Sequence, residues 1–363
     1  MTLQGSGDAL GTGWGRNVVS ISRCEARDID DVVRFIDTYW EPGHALVKCR
    51  RLLDWQHRDP DGRGYSFVVA RRRDDGAVLG ILGYIPTQRF DAALDGDSVI
   101  WLTTWKVRDD AHVAGLGLLL LQYLTKTERH LAIGALGLNR GTVPIYEALG
   151  YHVGEMQHYV RGNAAVEAFE LATLNSVIAP PLSDTTPVQA RRLISDEEFD
   201  ALEWVPPDGV VPRKTPEYFR TRYARHPVYA YLVLALQDAG TPAALMAART
   251  AEHCGRRALR IVDFVGPDEV LARAGPVVQA LLEQVDAEYA DVYNIGIGCS
   301  VFERAGFRRI DPDGPDIVPD HFEPFERRNV RLWFSLKGAR PRAVLFKGDA
   351  DQDRPNRVPQ SCP

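Results

Sequence analysis

The chain has 363 residues, 45% hydrophobic and 25% charged, proportions of an ordinary globular protein that exclude a largely disordered chain or a disulfide-stapled miniprotein. At about 150 residues per domain, the length allows two modest domains or one domain with a large insertion. Lys and Arg number 43 against 49 Asp and Glu, a net charge of −6, so no global basic field exists to hold nucleic acid or an anionic membrane. A local basic pocket stays open.

Five cysteines, Cys24, Cys49, Cys254, Cys299 and Cys362, are scattered without a CxxC pair or matching His spacing, which indicates neither a zinc site nor a disulfide framework. No metal is expected. The longest apolar run, Gly115 to Leu121, is far shorter than the roughly 18 residues of a membrane span. Residues 1–17 are Gly-rich and lack a basic start followed by an apolar run, so they read as a flexible leader and not as a signal peptide. A cytoplasmic location is the expectation.

In chain order, Val18 to Ser22 reads as a short strand, and Arg27 to Trp40 sets Ile29, Val32, Val33, Phe35 and Ile36 at helical spacing. Tyr65 to Arg71 and Val78 to Ile85 are β-rich runs around Asp74-Asp75-Gly76, the signature of a hairpin. Ser98 to Val107 reads as a further strand, Gly115 to Thr125 as a buried helix and His130 to Asn139 as a strand. Pro144 to Leu149 is a short helix stopped by Gly150.

The second half repeats this grammar. Val188 to Leu193 and Glu197 to Trp204 open it, Ala230 to Leu236 and Ala243 to Thr250 flank Asp238-Ala239-Gly240, and Ala258 to Val265 is a strand. Glu269 to Tyr289 reads as helical and Asp291 to Ile297 as a strand, before a short helix ending at Gly306. The block Tyr146-Glu147-Ala148-Leu149-Gly150-Tyr151 reappears as Phe302-Glu303-Arg304-Ala305-Gly306-Phe307, so two copies of one mixed-sheet α/β domain are expected. The expected division is a leader at 1–17, domains at 18–180 and 183–345 with a boundary near Ala179 to Ser183, and a polar tail at 346–363.

The chemistry-bearing stretch is the junction Arg108-Asp109-Asp110-Ala111-His112-Val113-Ala114-Gly115-Leu116-Gly117, between a strand and a helix. Glycines at such a turn let backbone N–H groups approach an anion, and the helix start adds partial positive charge, which suits a pyrophosphate. A tight turn with close helix packing uses the same glycines. The longer GxGxxG and Walker patterns are absent, which disfavours a nicotinamide or nucleoside triphosphate site. A second piece runs Asn139-Arg140-Gly141-Thr142-Val143-Pro144-Ile145-Tyr146.

Together, a strand, a glycine-rich turn into a helix, a further strand ending in Asn, and a short helix carrying Tyr before Gly and an aromatic resemble the GNAT family of CoA-dependent N-acyltransferases. The family's turn begins with Gln or Arg; His112 stands there, while Gly115 and Gly117 fit. The resemblance covers roughly residues 18–161 and implies acyl-CoA as co-substrate. It implies that Trp105, Lys106 and Val107 hold the pantetheine arm, that the amides of His112, Val113, Ala114, Gly115, Leu116 and Gly117 hold the pyrophosphate, and that Asn139 contacts the arm. By the same resemblance Tyr146 protonates the departing thiolate; the other reading of the bare residue is a core aromatic. A strand amide near Val107 is the expected oxyanion donor, and His112 is otherwise a solvated loop residue.

The second copy departs at the points that matter: Phe302 stands in the place of Tyr146, and Val265-Gly266-Pro267-Asp268 lacks the paired glycines. It is expected to be degenerate, serving as part of an acceptor pocket or as structure alone. A narrower likeness rests on Leu53-Asp54-Trp55-Gln56, on Leu79 to Pro86 with Phe90-Asp91, and on the tail Phe346 to Asn356. These segments look like the tandem GNAT-like proteins of bacterial surface-polysaccharide pathways, of the anthrose type, which acylate a nucleotide-linked amino sugar. Lys347, Asp349, Asp351, Asp353 and Arg354 would then contact that acceptor; a solvated terminus is the other reading of such a charge run. Asp91, just past the end of a hairpin strand, is a candidate general base, with His44, Asp54 and His57 as rivals that no sequence argument separates from it. Loss of the proton to water or to the CoA sulfur is a further alternative. Another small amine acceptor (an aminoglycoside, an amino acid, a polyamine) and a non-catalytic CoA- or sugar-binding protein are the competing functions.

Overall fold

The structure, a computed structural model, describes residues 18–175, 186–338 and 342–355. The expected leader and the expected boundary near Ala179 to Ser183 lie outside the described residues. The first half contains β1 (Val19–Glu25), α1 (Ile29–Phe35), α2 (Ala45–Lys48), α3 (Arg50–His57), β2 (Gly64–Arg72), β3 (Val78–Pro86), β4 (Val99–Val107), α4 (Leu116–Thr127), β5 (Ala132–Leu136), α5 (Val143–Ala148), β6 (His152–Glu155) and β7 (Gln157–Gly162). The second contains β8 (Gln189–Leu193), α6 (Asp196–Asp200), β9 (Val210–Val211), α7 (Pro216–Phe219), β10 (Leu232–Asp238), β11 (Thr241–His253), β12 (Arg256–Val265), α8 (Asp268–Ala272), α9 (Gly275–Gln284), β13 (Ala287–Ile295), α10 (Cys299–Arg304), β14 (Arg308–Arg309), β15 (Trp333–Gly338), β16 (Arg342–Ala343) and β17 (Leu345–Phe346).

The expected mixed α/β class and internal repetition are both present. Each half builds antiparallel strands that end in one parallel pair, β4 with β5 and β12 with β13. The halves then exchange a strand. β15 enters the first sheet between β5 and β6, and β7 enters the second between β13 and β14, in the orders β1-β2-β3-β4-β5-β15-β6 and β14-β7-β13-β12-β11-β10-β8. A cut near residue 180 therefore does not separate the two sheets, because each contains a strand from the other half. Trp101, Leu136 and Phe334 of the first sheet share one apolar core with Tyr223, Val262, Tyr293 and Leu345, so the halves are welded by burial as well as by hydrogen bonds.

Three readings change. The helix expected over Glu269 to Tyr289 is two helices, and the chain turns at Asp286, in the left-handed region at φ 51°, into β13, which starts at Ala287. Cys49 is disulfide-bonded, whereas Cys24, Cys254 and Cys299 are free; scattered spacing carried no sign of this. The tail, as far as residue 355, is a packed segment. Phe346 is fully buried, Asp349 pairs with Lys214 at 2.9 Å, and Asp353 pairs with Arg222 at 2.8 Å. Among the described residues no helix is long and apolar enough to cross a membrane, and no cluster of His, Cys, Asp or Glu is placed to hold a metal.

The register explains where the segment goes. β12 and β13 pair only as far as Ile261 and Val292, and β17 pairs with β13 at Asn294 and Ile295. β7 occupies the other side of β13 up to Asn294, so β17 fills the gap left where β12 parts from β13. A Cβ on Gly348 would lie 2.8 Å from the Val262 carbonyl. Replacing Phe346 by Ala should cost about 3–5 kcal/mol, the cost of emptying a buried aromatic site, read as a fall in the urea midpoint; a loss under about 1 kcal/mol would mean that the gap does not depend on this side chain.

Candidate active site

In the first half the corresponding gap is open. The last β4–β5 pair is Leu102 with Ala135. Beside it the β3–β4 register slips, with Leu82 opposite Trp105 and Tyr84 opposite Leu102, so Thr103 and Thr104 stand against the single residue Gly83. A bulge of this kind bends its strand, here at the place where β4 leaves β5. A cavity of about 780 Å³ occupies the opening, within the range of small-molecule sites.

The cavity draws on both faces of the sheet. On one face lie Trp105, Val107, Gly115, Gly117, Asn139 and Tyr146, residues of or near the core that α4 and α5 cover. Gly115 caps α4 in the left-handed conformation, φ 70°, with nothing within 4 Å of the point where a Cβ would sit, so this 12-residue helix starts beside open space. Gly117 lies against the Trp105 indole, where a Cβ would sit 3.3 Å from the ring nitrogen. The Tyr146 ring meets Trp105 and Tyr151 edge-on at 5.9 and 5.1 Å. Burial raises its phenol well above the ordinary value, so the hydroxyl keeps its proton at neutral pH. Asn139 uses its side-chain oxygen to accept the Gly141 N–H at 2.9 Å, leaving its amide N–H groups as donors.

On the other face lie Trp40, His44, Asp351 and Gln352. Gln352 packs directly on Gly137 at the end of β5, where any Cβ would overlap it. His44 is 4% exposed and its Nδ1 accepts the Leu46 N–H at 3.2 Å. Burial, helped by Arg354 and opposed by Asp351, brings its pKa down to about 4.

A second cavity of about 510 Å³ adjoins the first, with Gln352 in the wall of both. It lies on β11, β12 and β13 and is lined by Arg249, Arg260, Asp291, Asp320, Lys347 and Arg354, among others. These groups are largely spoken for. Arg260 reaches Asp291 at 2.7 Å and Asp320 at 3.0 Å, Lys347 also pairs with Asp320, and Arg354 donates to Gln56 at 2.9 Å.

Set against the sequence, the structure brings Trp105, Val107, Val113, Gly115, Leu116, Gly117, Asn139 and Tyr146 to one cavity. Lys106 does not line it and pairs with Asp109 at 3.1 Å. His112 and Ala114 are outside it, His112 in the left-handed region at φ 49°. Lys347, Asp353 and Arg354 line the second cavity, Asp351 lines the first, and Asp349 lines neither, being used by Lys214 and the Phe346 N–H. Asp91 lines neither cavity; it accepts from Ala93 N–H at 2.9 Å and from Thr215 Oγ1 at 2.5 Å, so its carboxylate tethers the two halves. Asp54 is engaged by Arg50 and Tyr65 at 2.8 and 2.7 Å, and His57 is buried against Ser66 and Gln56. Of the proposed bases only His44 reaches the cavity. Among the residues missed were Thr103, Thr104, Trp40 and Gln352; the paired threonines in a strand were the one sign of them.

No family model matches the chain, and no curated protein matches it. Among solved structures it is similar to a putative acetyltransferase from Pyrococcus horikoshii, at 11% identity over 93% of this chain and 94% of that one, with a TM-score of 0.47. It is similar to a GCN5-related N-acetyltransferase from Anabaena variabilis, at 10% identity over 87% and 72%, with a TM-score of 0.48. A Saccharomyces cerevisiae N-myristoyltransferase with bound myristoyl-CoA is similar at 10% identity over 93% and 86%, with a TM-score of 0.47. All three fall below a TM-score of 0.5.

The buried histidines set a pH dependence of stability. His44, His57, His158 and His226 all titrate below the ordinary 6.5, burial being the main cause. Each takes up its proton at a lower pH in the folded chain than in the unfolded one, so the unfolded state binds more protons as pH falls through the ordinary range and stability drops. Asp349 acts oppositely: burial and Asp263, opposed by Lys214, raise it to about 7, so its contribution grows as pH falls toward 4. Asp59 and Glu323, also raised by burial, act in the same sense as Asp349, but the four histidines outweigh these three carboxylates, and the urea midpoint should fall from about pH 7 to about pH 5. A midpoint that rises over that range would mean that the rings are charged in the folded chain.

Proposed function

We propose that the chain is an acyl-CoA-dependent N-acyltransferase whose first half holds the co-substrate and whose acceptor is a primary amine. The observation that carries this reading is the opening through the first sheet where β4 parts from β5. It has a glycine-capped helix start, Asn139 and Tyr146 on one face, and His44 and Asp351 on the other. A long thiol arm fits such an opening. Acyl-CoA would supply an activated thioester there. Space beside Gly115 and the start of α4 suit a pyrophosphate, and the parted strand edges offer backbone donors and acceptors to the amides of the arm. Backbone donors on β4, near Val107 or at the Thr103–Thr104 bulge, would hold the developing oxyanion.

Tyr146 then supplies a proton to the departing sulfur, since burial keeps its hydroxyl protonated. The degenerate second half takes no co-substrate on this reading, for a reason the motifs did not supply: β17 fills the equivalent gap, and Gly266 packs on Ala244 instead of facing open space. For the acceptor we favour a nucleotide-linked amino sugar. The second cavity supports this reading because it adjoins the first and is lined by Phe322 and by charged side chains which, though paired with one another, keep further hydrogen-bonding positions for a polyhydroxylated, phosphate-bearing molecule. A small amine would need only the first.

The test is acyl transfer from acetyl-CoA and myristoyl-CoA to UDP-glucosamine, kanamycin, lysine and spermidine, followed as free thiol. Transfer to the sugar nucleotide is the expected result; transfer to another amine alone would leave an acyltransferase of different acceptor class, and CoA binding without any turnover would leave a binding protein. Replacing Gly115 by Val, which fills the open space and strains a left-handed residue, should weaken CoA binding at least about tenfold by calorimetry. Tyr146→Phe should lower kcat by about 100-fold with CoA affinity unchanged; a wild-type rate would make Tyr146 a core aromatic.

A further inference from the structure

A primary amine that is an ammonium at neutral pH has no lone pair with which to attack a thioester, so the site needs a proton acceptor on the amine's side of the sheet. Among the described residues lining the first cavity, the titratable side chains are Tyr146, His44 and Asp351. Tyr146 is a donor, kept protonated by burial. His44 is neutral, and its Nδ1 is occupied by the Leu46 N–H, which puts the ring proton on Nε2 and leaves no free lone pair.

Asp351 remains. Its side chain is 17% exposed, and its Oδ2 accepts from Arg354 at 3.1 Å and Gln56 at 3.4 Å. Oδ1 accepts only from Gln352, at 3.2 Å, so that oxygen keeps an acceptor position. The charged and titratable groups facing it are Arg354 from its own segment and His44 from the loop before α2; Gln56 of α3 and Gln352 are neutral.

We propose that Asp351 is the general base of this site, supplied to the first half's cavity by the segment that plugs the second half's gap. The proposal rests on the acyltransferase reading. The acceptor ammonium gives one proton to Asp351 Oδ1, and the freed nitrogen lone pair forms a C–N bond at the thioester carbonyl. The carbon–sulfur bond breaks with its electron pair on sulfur, which takes a proton from Tyr146. The nitrogen's second proton returns the Tyr146 phenol through water, and the proton on Asp351 leaves to solvent, so the balance is amide, free thiol and one released proton.

The test uses the full chain with acetyl-CoA and two acceptors, the amine of the panel that turns over fastest and hydroxylamine, which is uncharged at neutral pH. Asp351→Asn keeps the shape of the side chain and removes the base. It should lower kcat for the panel amine by about 100-fold or more while hydroxylamine falls less than about fivefold. CoA affinity should be unchanged, and Asp351→Glu, which keeps a counter-charge for Arg354, should regain part of the rate together with any Tm lost in Asp351→Asn. Equal losses with both acceptors, a loss confined to KM, a lowered Tm without rescue by Glu, or a wild-type rate would each overturn the assignment. Transfer by the Asn variant at wild-type rate would overturn it while leaving the acyltransferase reading intact; no transfer by the wild-type chain to any of these acceptors would overturn both.

Discussion

Two parallel strands that share hydrogen bonds over only part of their length leave backbone groups and space beyond the last pair, and something has to fill both. This chain meets the same constraint twice. Beyond Ile261 and Val292 the gap is closed from within, by β17 and the buried Phe346. Beyond Leu102 and Ala135 it is left open as a cavity of about 780 Å³. The two halves differ in which gap the C-terminal segment occupies.

That segment links the halves chemically as well. After plugging one gap it runs past the other, setting Gln352 on Gly137 and Asp351 into the open cavity. Two of its charges are held by groups of the second half, Asp349 by Lys214, and Asp353 by Arg222 and by Tyr231 at 2.6 Å. Breaking such fully buried pairs leaves an uncompensated charge and costs several kcal/mol. The exchange of β7 and β15 has the same consequence at the level of the sheets. Neither half closes its own sheet, so the first cavity keeps its shape only while the second half is folded against it.

Much of the first half was legible because its elements are local. Alternating runs, a two-Asp-and-Gly hairpin and an apolar helix after paired glycines each carry their own signal, and they brought Gly115, Gly117, Asn139 and Tyr146 together on one face. The second half lost definition at Ala287 to Tyr289, where Ala-Glu-Tyr reads like helix and only packing between β12 and β7 makes it a strand. The strand exchange was invisible for a related reason: β7 and β15 have side chains suited to either sheet, and the choice of partner is tertiary. Charge runs misled most. A stretch with Lys347, Asp349, Asp353 and Arg354 reads as acceptor contacts or else as a solvated terminus, yet every one of these side chains is buried because its partner waits on a distant element. Asp91 looked free beyond a strand end and is instead tied to Thr215.

Hydrogen–deuterium exchange of the full chain with and without CoA tests the asymmetry most directly, because it reads both gaps in one sample. Protection should appear over residues 103–107, 113–118 and 137–146, with no change over 256–268 and 287–298. Protection over the second pair of segments, or over neither, would contradict the assignment of an open first gap and a plugged second one.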